Sequence, residues 1–213
     1  QTAVGSAGVG ITVRVTAVQR ELDQYVQRQL RIENSGASYS TTRAQFYNQL
    51  QAVYGTPGSD SSLEAVFNKF TSSLQALSSS PDDPAARGAV ISNAQILAQQ
   101  LNSMSERIQS LRQNAELGIS DSVTEANNAM QRIAEINTKL AANGNMMDAA
   151  SATMEDQRDA YIDTLSKLMD VNVVKCDNNQ ISVFTNSGIQ LVGNEAASRL
   201  SFQTQGSMAA NKL

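Results

Sequence analysis

The chain has 213 residues, a net charge of −4, one cysteine, and neither histidine nor tryptophan. Without a Lys/Arg cluster that balance argues against a nucleic-acid surface. One thiol without histidine supports neither an internal disulfide nor a zinc site, and no run of about 18 apolar residues is present to span a bilayer. Charged residues make up 17% of the chain, while Ser, Thr, Asn and Gln supply roughly a third, against the usual charged surface. Such a surface suits faces that meet other protein surfaces. A start at Gln1 and a stop at Asn211-Lys212-Leu213 lead us to expect a segment of a longer protein.

Residues 8–15 alternate, with Val9, Ile11, Val13 and Val15 on one side, and predict a strand. The glycines at 5, 8 and 10 are in the wrong order for a dinucleotide loop. Thr16 to Gln19 fits a capping box. The spacing of Val18, Leu22, Tyr25, Ile32, Tyr39, Phe46, Leu50 and Val53 then predicts one long helix, soft at Asn34-Ser35-Gly36 and ended by Gly55-Thr56-Pro57-Gly58. Ser61 and Glu64 form a second capping box before the stripe Leu63, Phe67, Phe70, Leu74 and Leu77. Asp83 reads as an N-cap, with Pro84 as the first residue of the next helix.

From Ile91 through Ala94, Ala98, Leu101, Met104, Ile108, Leu111, Ala115, Ile119, Val123, Ala126, Met130, Ile133 and Ile136 to Leu140, apolar residues step by threes and fours. An uninterrupted helix there would be roughly 85 Å long, with Ile108 and Leu111 expected in the core. The steps of four around Ala115, Ile119 and Val123 form a stutter. A fourth helix is expected from Asp148 to Met169, presenting Met147, Met154, Tyr161, Leu165 and Leu168. Val171, Val173, Ile181 and Val183 then read as a hairpin around Asp177-Asn178-Asn179. Further strands are expected at 189–192 and 199–203. The expected fold is mainly α: an elongated, coiled-coil-like bundle over residues 1–170, with a short entry strand, followed by the start of a β-rich part at 171–213.

No residue pattern supports a catalytic, cofactor or metal site. Asp156, Asp159 and Asp163, with Glu155 nearby, share a helix face interleaved with Arg158 and Lys167. A solvated or intersubunit face explains them, and Asp163 and Lys167 are spaced as an i,i+4 pair. Cys176 has no imidazole to activate it and reads as a small residue beside a turn. The seven methionines fill apolar helix positions. Gln99, Gln100, Asn127, Asn128 and Asn137 read as surface; their functional alternative is adaptable hydrogen bonding between packed subunits.

Residues 63–102 are more specific. Phe67 and Phe70 lie in an amphipathic helix, followed by Leu74-Gln75-Ala76-Leu77, the acidic turn Pro81-Asp82-Asp83-Pro84, and Ala85-Ala86-Arg87 opening a long helix. This order resembles the flagellar hook-associated protein 1 family. Upstream, residues 8–35 look like that family's entry strand and first helix, with Arg20, Asp23, Gln29, Leu30 and Arg31 at matching places. Downstream, Asp156-Gln157-Arg158-Asp159 and residues 165–174 look like its next helix and strand.

The resemblance implies a structural, non-enzymatic adaptor at the junction between hook and filament. It would be exported by the flagellar type III apparatus and be extracellular. Its implied partners are the hook protein, other hook-associated proteins, its own copies and an export chaperone, with no nucleic acid and no membrane. The family's terminal core segments and returning carboxy-terminal helix are expected outside this segment, so the segment alone is expected to be monomeric. The alternative from another class is a secreted type III translocator or adhesin with a helical stalk.

Overall fold

A computed structural model describes residues 24–144 and 148–204. The expected strand at 8–15, the Thr16 capping box, Val18, Leu22 and Met147 lie outside the described residues. The described chain is mainly α, with helices α1 (Gln24–Tyr54), α2 (Leu63–Ser79), α3 (Pro84–Ala142) and α4 (Ala149–Leu168). Three strands follow: β1 (Val171–Lys175), β2 (Ile181–Thr185) and β3 (Gln190–Val192).

The helix ends follow local chemistry. α1 passes unbroken through Asn34-Ser35-Gly36 and stops at Gly55, whose φ of 85° is costly for other residues. A Cβ on Gly55 would also lie 3.2 Å from the Cα of Ser62. Ser62, one residue later than expected, caps α2 by accepting the Ala65 N–H at 3.2 Å. Asp83 accepts the Ala85 N–H at 2.8 Å, with Pro84 in the first helical position. Asp148 caps α4 by accepting the Ser151 N–H at 2.7 Å. That backbone bond, with a second from the Ser151 hydroxyl, holds the Asp148 carboxyl below its usual pKa.

The chain divides into two compact units. The first joins residues 24–33 of α1 to Asn127–Arg199, hence to the end of α3, all of α4 and the sheet. The second contains Asn34–Ala126, which is the rest of α1, α2 and the first part of α3, together with the described residues 200–204. α1 and α3 each contribute residues to both.

The first unit holds most of the buried apolar residues. Met130, Ile133 and Leu140 of α3, Ile162 and Leu165 of α4, and Val183, Leu191 and Val192 of the sheet are its largest fully buried apolar side chains. Its sheet is antiparallel in the order β1-β2-β3, with Val173 opposite Val183 and Lys175 opposite Ile181. Asn178 and Asn179, at φ 56° and 58°, hold two left-handed positions in the turn between β1 and β2, which the Gln180 N–H closes onto the Asp177 carbonyl. Gly188, at φ 86°, closes the turn into β3. The strand expected at 199–203 is absent: beyond the single bridge from Val192 to Ala197, described residues up to 204 join no strand.

In the second unit, the buried apolar residues among those described are Val53, Val66, Met104 and Ala126. This corrects the expectation for the long α3 stripe. It is buried from Ala126 to Leu140, but Ile108 and Leu111 are only half-buried, and Ile91, Leu101 and Ile119 are exposed. The α3 period is helical throughout; what differs is the number of neighbours. In the first unit the stripe shares one compact body with α4 and the sheet, whereas in the second the other described helices and strands are α1 and α2 alone. There, Asn93 Nδ2 donates to the Lys69 carbonyl and Gln100 Nε2 to that of Ser61, tying α3 to α2.

Candidate functional site

Two features of the first unit hold its helices and sheet together. The first centres on Asn137, fully buried on α3 rather than at the surface as expected. Its Nδ2 donates to the Ile181 carbonyl at 2.7 Å, and its Oδ1 accepts the Ile181 N–H at 3.2 Å. The same Nδ2 reaches the Gly193 carbonyl at 3.2 Å. These Ile181 groups face the β3 side of the sheet, where β3 has ended at Val192. The amide therefore stands in for the next strand residue and satisfies backbone groups that burial would otherwise orphan.

Arg158 completes this joint. Its Nη1 donates to Asn137 Oδ1 at 3.1 Å and to the Asn179 carbonyl at 2.5 Å, tying α4 to α3 and to the β1–β2 turn. Arg158 was expected on a solvated or intersubunit face, yet it is buried within this unit. Its guanidinium planar fork suits two acceptors at fixed positions.

The second feature redefines the acidic cluster. Arg31 of α1, 8% exposed, donates through Nη2 to Asp159 at 3.1 Å and through Nε to Asp163 at 3.0 Å. Gln27 Nε2 also reaches Asp159, at 3.4 Å. The expected pairing of Asp163 along its own helix gives way to a bridge between helices. Asp156, on the same helix, is exposed. Among the described residues, no three His, Cys, Asp or Glu side chains gather as a metal site. Cys176 Sγ lies 3.4 Å from the Ser182 hydroxyl. No described helix is long and apolar enough to cross a membrane.

The second unit offers a surface instead. On α1, Tyr39, Arg43, Phe46, Tyr47, Leu50 and Tyr54 fall within a sector of about 100° at helical spacing. Tyr39, Phe46, Tyr47 and Tyr54 are exposed, Tyr39 by 66%. Arg43 sits 5.5 Å from the Tyr47 ring centroid, and Phe46 meets Tyr47 edge-on at 6.4 Å. Aromatic residues with arginine are the composition of binding hot spots. Residues 44–59 of this region, and 88–105 on α3, contain no charge at all. Phe67 and Leu74 of α2 and Ile91, Ile96 and Leu101 of α3 are exposed as well. An uncharged, partly apolar helical surface is suited to burial against protein, since no ion need be desolvated. Tyr39, Phe46, Phe67, Leu74, Ile91 and Leu101 sit on the helix stripes the spacing predicts, but their exposure is not written in that spacing.

Comparison with known proteins identifies the relatives of this arrangement. Residues 32–213 match the model of the flagellar hook-associated protein FlgK helical domain. Flagellar hook-associated protein 1 of Salmonella typhimurium is 31% identical over 200 residues, covering 92% of this chain and 36% of that protein. The Bacillus subtilis protein of the same name is 29% identical over 169 residues, covering 79% of this chain and 32% of its own length. The solved structure of the flagellar hook junction protein FlgK from Burkholderia pseudomallei aligns with a TM-score of 0.71 at 29% identity, over 80% of this chain and 29% of that one. The chain thus spans about a third of the length of the curated relatives it matches. With the family model covering most of its length, the chain belongs to the flagellar hook-associated protein FlgK family, in that family's helical domain.

Proposed function

We propose that the protein to which this chain belongs is a structural adaptor at the hook–filament junction of the bacterial flagellum, acting without turnover and without a cofactor. The observation that carries the reading is the match of residues 32–213 to the FlgK helical domain. The exposed aromatic stripe of α1 and the uncharged segments 44–59 and 88–105 support it, because an adaptor works through buried protein contacts. In this reading residues 1–170 form the helical body, and 171–213 open a β-rich part facing outward. The partners are flagellar hook components, further hook-associated proteins, other copies of the chain and an export chaperone, and the place of action is the extracellular flagellum. The family match favours this reading over a translocator or adhesin stalk.

The test is made in the full-length gene. Replacing Phe46 and Tyr47 with Asp puts two carboxylates into the stripe at positions already exposed in this chain, so export into the medium should persist while swimming is lost. Normal swimming by that strain would remove the stripe from the assembly and with it the structural support for the reading.

A further inference from the structure

We infer that Arg43 is the receptor for a carboxylate: the protein surface that covers the α1 stripe is apolar and presents an aspartate or glutamate to this guanidinium. The inference rests on the reading of the stripe as an assembly surface. Residues 39–49 are exposed on every side of the helix, the rings of Tyr39, Phe46 and Tyr47 included. No described element buries this stretch, and one cation stands in the middle of it.

Arg43 is the sole charged residue between Glu33 and Asp60. Its neighbours three and four positions away are Tyr39, Ser40, Phe46 and Tyr47, none of them a carboxylate. Glu33 lies ten residues back, about 15 Å along the helix axis. Among the described residues Arg43 forms no ion pair, whereas Arg31, Lys69 and Arg132 each do. Its guanidinium carbon sits 5.5 Å from the Tyr47 ring centroid, and Tyr39, Thr42, Phe46 and Tyr47 line one cleft with it. A guanidinium held against a ring keeps the N–H donors at its edge for another acceptor.

Desolvation then sets the chemistry of the partner. Whatever covers Tyr39, Phe46 and Tyr47 covers Arg43 with them, because all four lie within the same helical sector. A guanidinium taken out of water without an anion is strongly unfavourable. Its planar fork matches a carboxylate through two parallel hydrogen bonds. Such a pair also fixes the register of the partner along the stripe, which apolar contact alone leaves free.

The test uses the full-length gene. Because Arg43 is exposed, Arg43→Gln should leave export into the medium and the circular dichroism of the 213-residue chain unchanged. It should cut the fraction of cells bearing filaments by about tenfold or more, and Arg43→Lys, which keeps the charge, should recover most of them. Carbodiimide treatment of flagella from the Arg43→Lys strain should then join the new amine to one Asp or Glu side chain, located by peptide mapping. Filaments at the wild-type frequency with Arg43→Gln overturn the inference. So do filaments lost equally with Arg43→Lys, and an amine that joins no carboxylate. If Arg43→Gln disturbs the fold, the Arg43→Lys filaments and cross-link decide alone. Should the Phe46→Asp, Tyr47→Asp strain stop swimming while Arg43→Gln swims normally, the assembly surface stands and the carboxylate alone falls.

Discussion

Replacing Asn137 with Ala removes a side chain that makes four hydrogen bonds from a fully buried position. Two of its partners, the N–H and C=O of Ile181, belong to a buried residue and have no water to turn to. Each buried group left unsatisfied costs about 1–3 kcal/mol. Gly193 is only half-buried and Arg158 keeps the Asn179 carbonyl, so these two lose less. The expected loss is about 3–5 kcal/mol, a large part of the roughly 5–15 kcal/mol by which a domain is stable. Asn137→Asp separates the contributions: it keeps an acceptor for Ile181 N–H and Arg158 but sets oxygen against the carbonyls of Ile181 and Gly193, and should fall between wild type and Ala. Urea unfolding followed by circular dichroism measures the loss, and exchange of the Ile181 amide localises it. Asn128→Ala, exposed on the same helix, is the control and should stay within about 0.5 kcal/mol. If Asn137→Ala behaves like that control, the amide does not stand in for a strand residue and the reasoning fails.

Arg31→Ala should cost about 2–3 kcal/mol, by leaving Asp159 and Asp163 without the guanidinium between them, and Arg31→Lys should recover only part because one ammonium replaces a fork; denaturant midpoints measure both. Gly118→Ala should stabilise by about 0.5–1 kcal/mol, since its helical site has nothing within 4 Å of the added Cβ, whereas Gly55→Ala should destabilise, and thermal melts give both signs. Because the folded Asp148 carboxyl has a lowered pKa, its cap stabilises α4 above the unfolded value near 4 and is lost as pH falls through the folded one. Melting of wild type between pH 6 and 2, compared with Asp148→Asn, should show a smaller decline in the variant.

Much of this fold is written in local residue chemistry. The threes and fours of α3 and the Asp83-Pro84 start need no tertiary information, and Asn178-Asn179 specifies the first hairpin turn. Burial is different, because it depends on how many neighbours reach a stripe. Ile108 and Ile133 have the same periodic signature, yet only Ile133, in the compact unit that holds α4 and the sheet, is fully buried. Asn137 left a usable signal: it lies four residues after Ile133 and three before Leu140, squarely on the apolar face. A polar amide there implies a buried partner, but composition cannot name a strand 44 residues away as that partner. Likewise Asp159 and Asp163 share a face by spacing alone, while their engagement with Arg31, 128 residues distant from the first of them, appears only in three dimensions.

The most direct test of the adaptor reading removes the whole gene from its own bacterium and combines electron microscopy of the cell surface with an assay of flagellin in the medium. The account predicts complete hooks without filaments, flagellin shed into the medium, and filaments restored by the intact gene. Normal filaments on the deletion strain would contradict it.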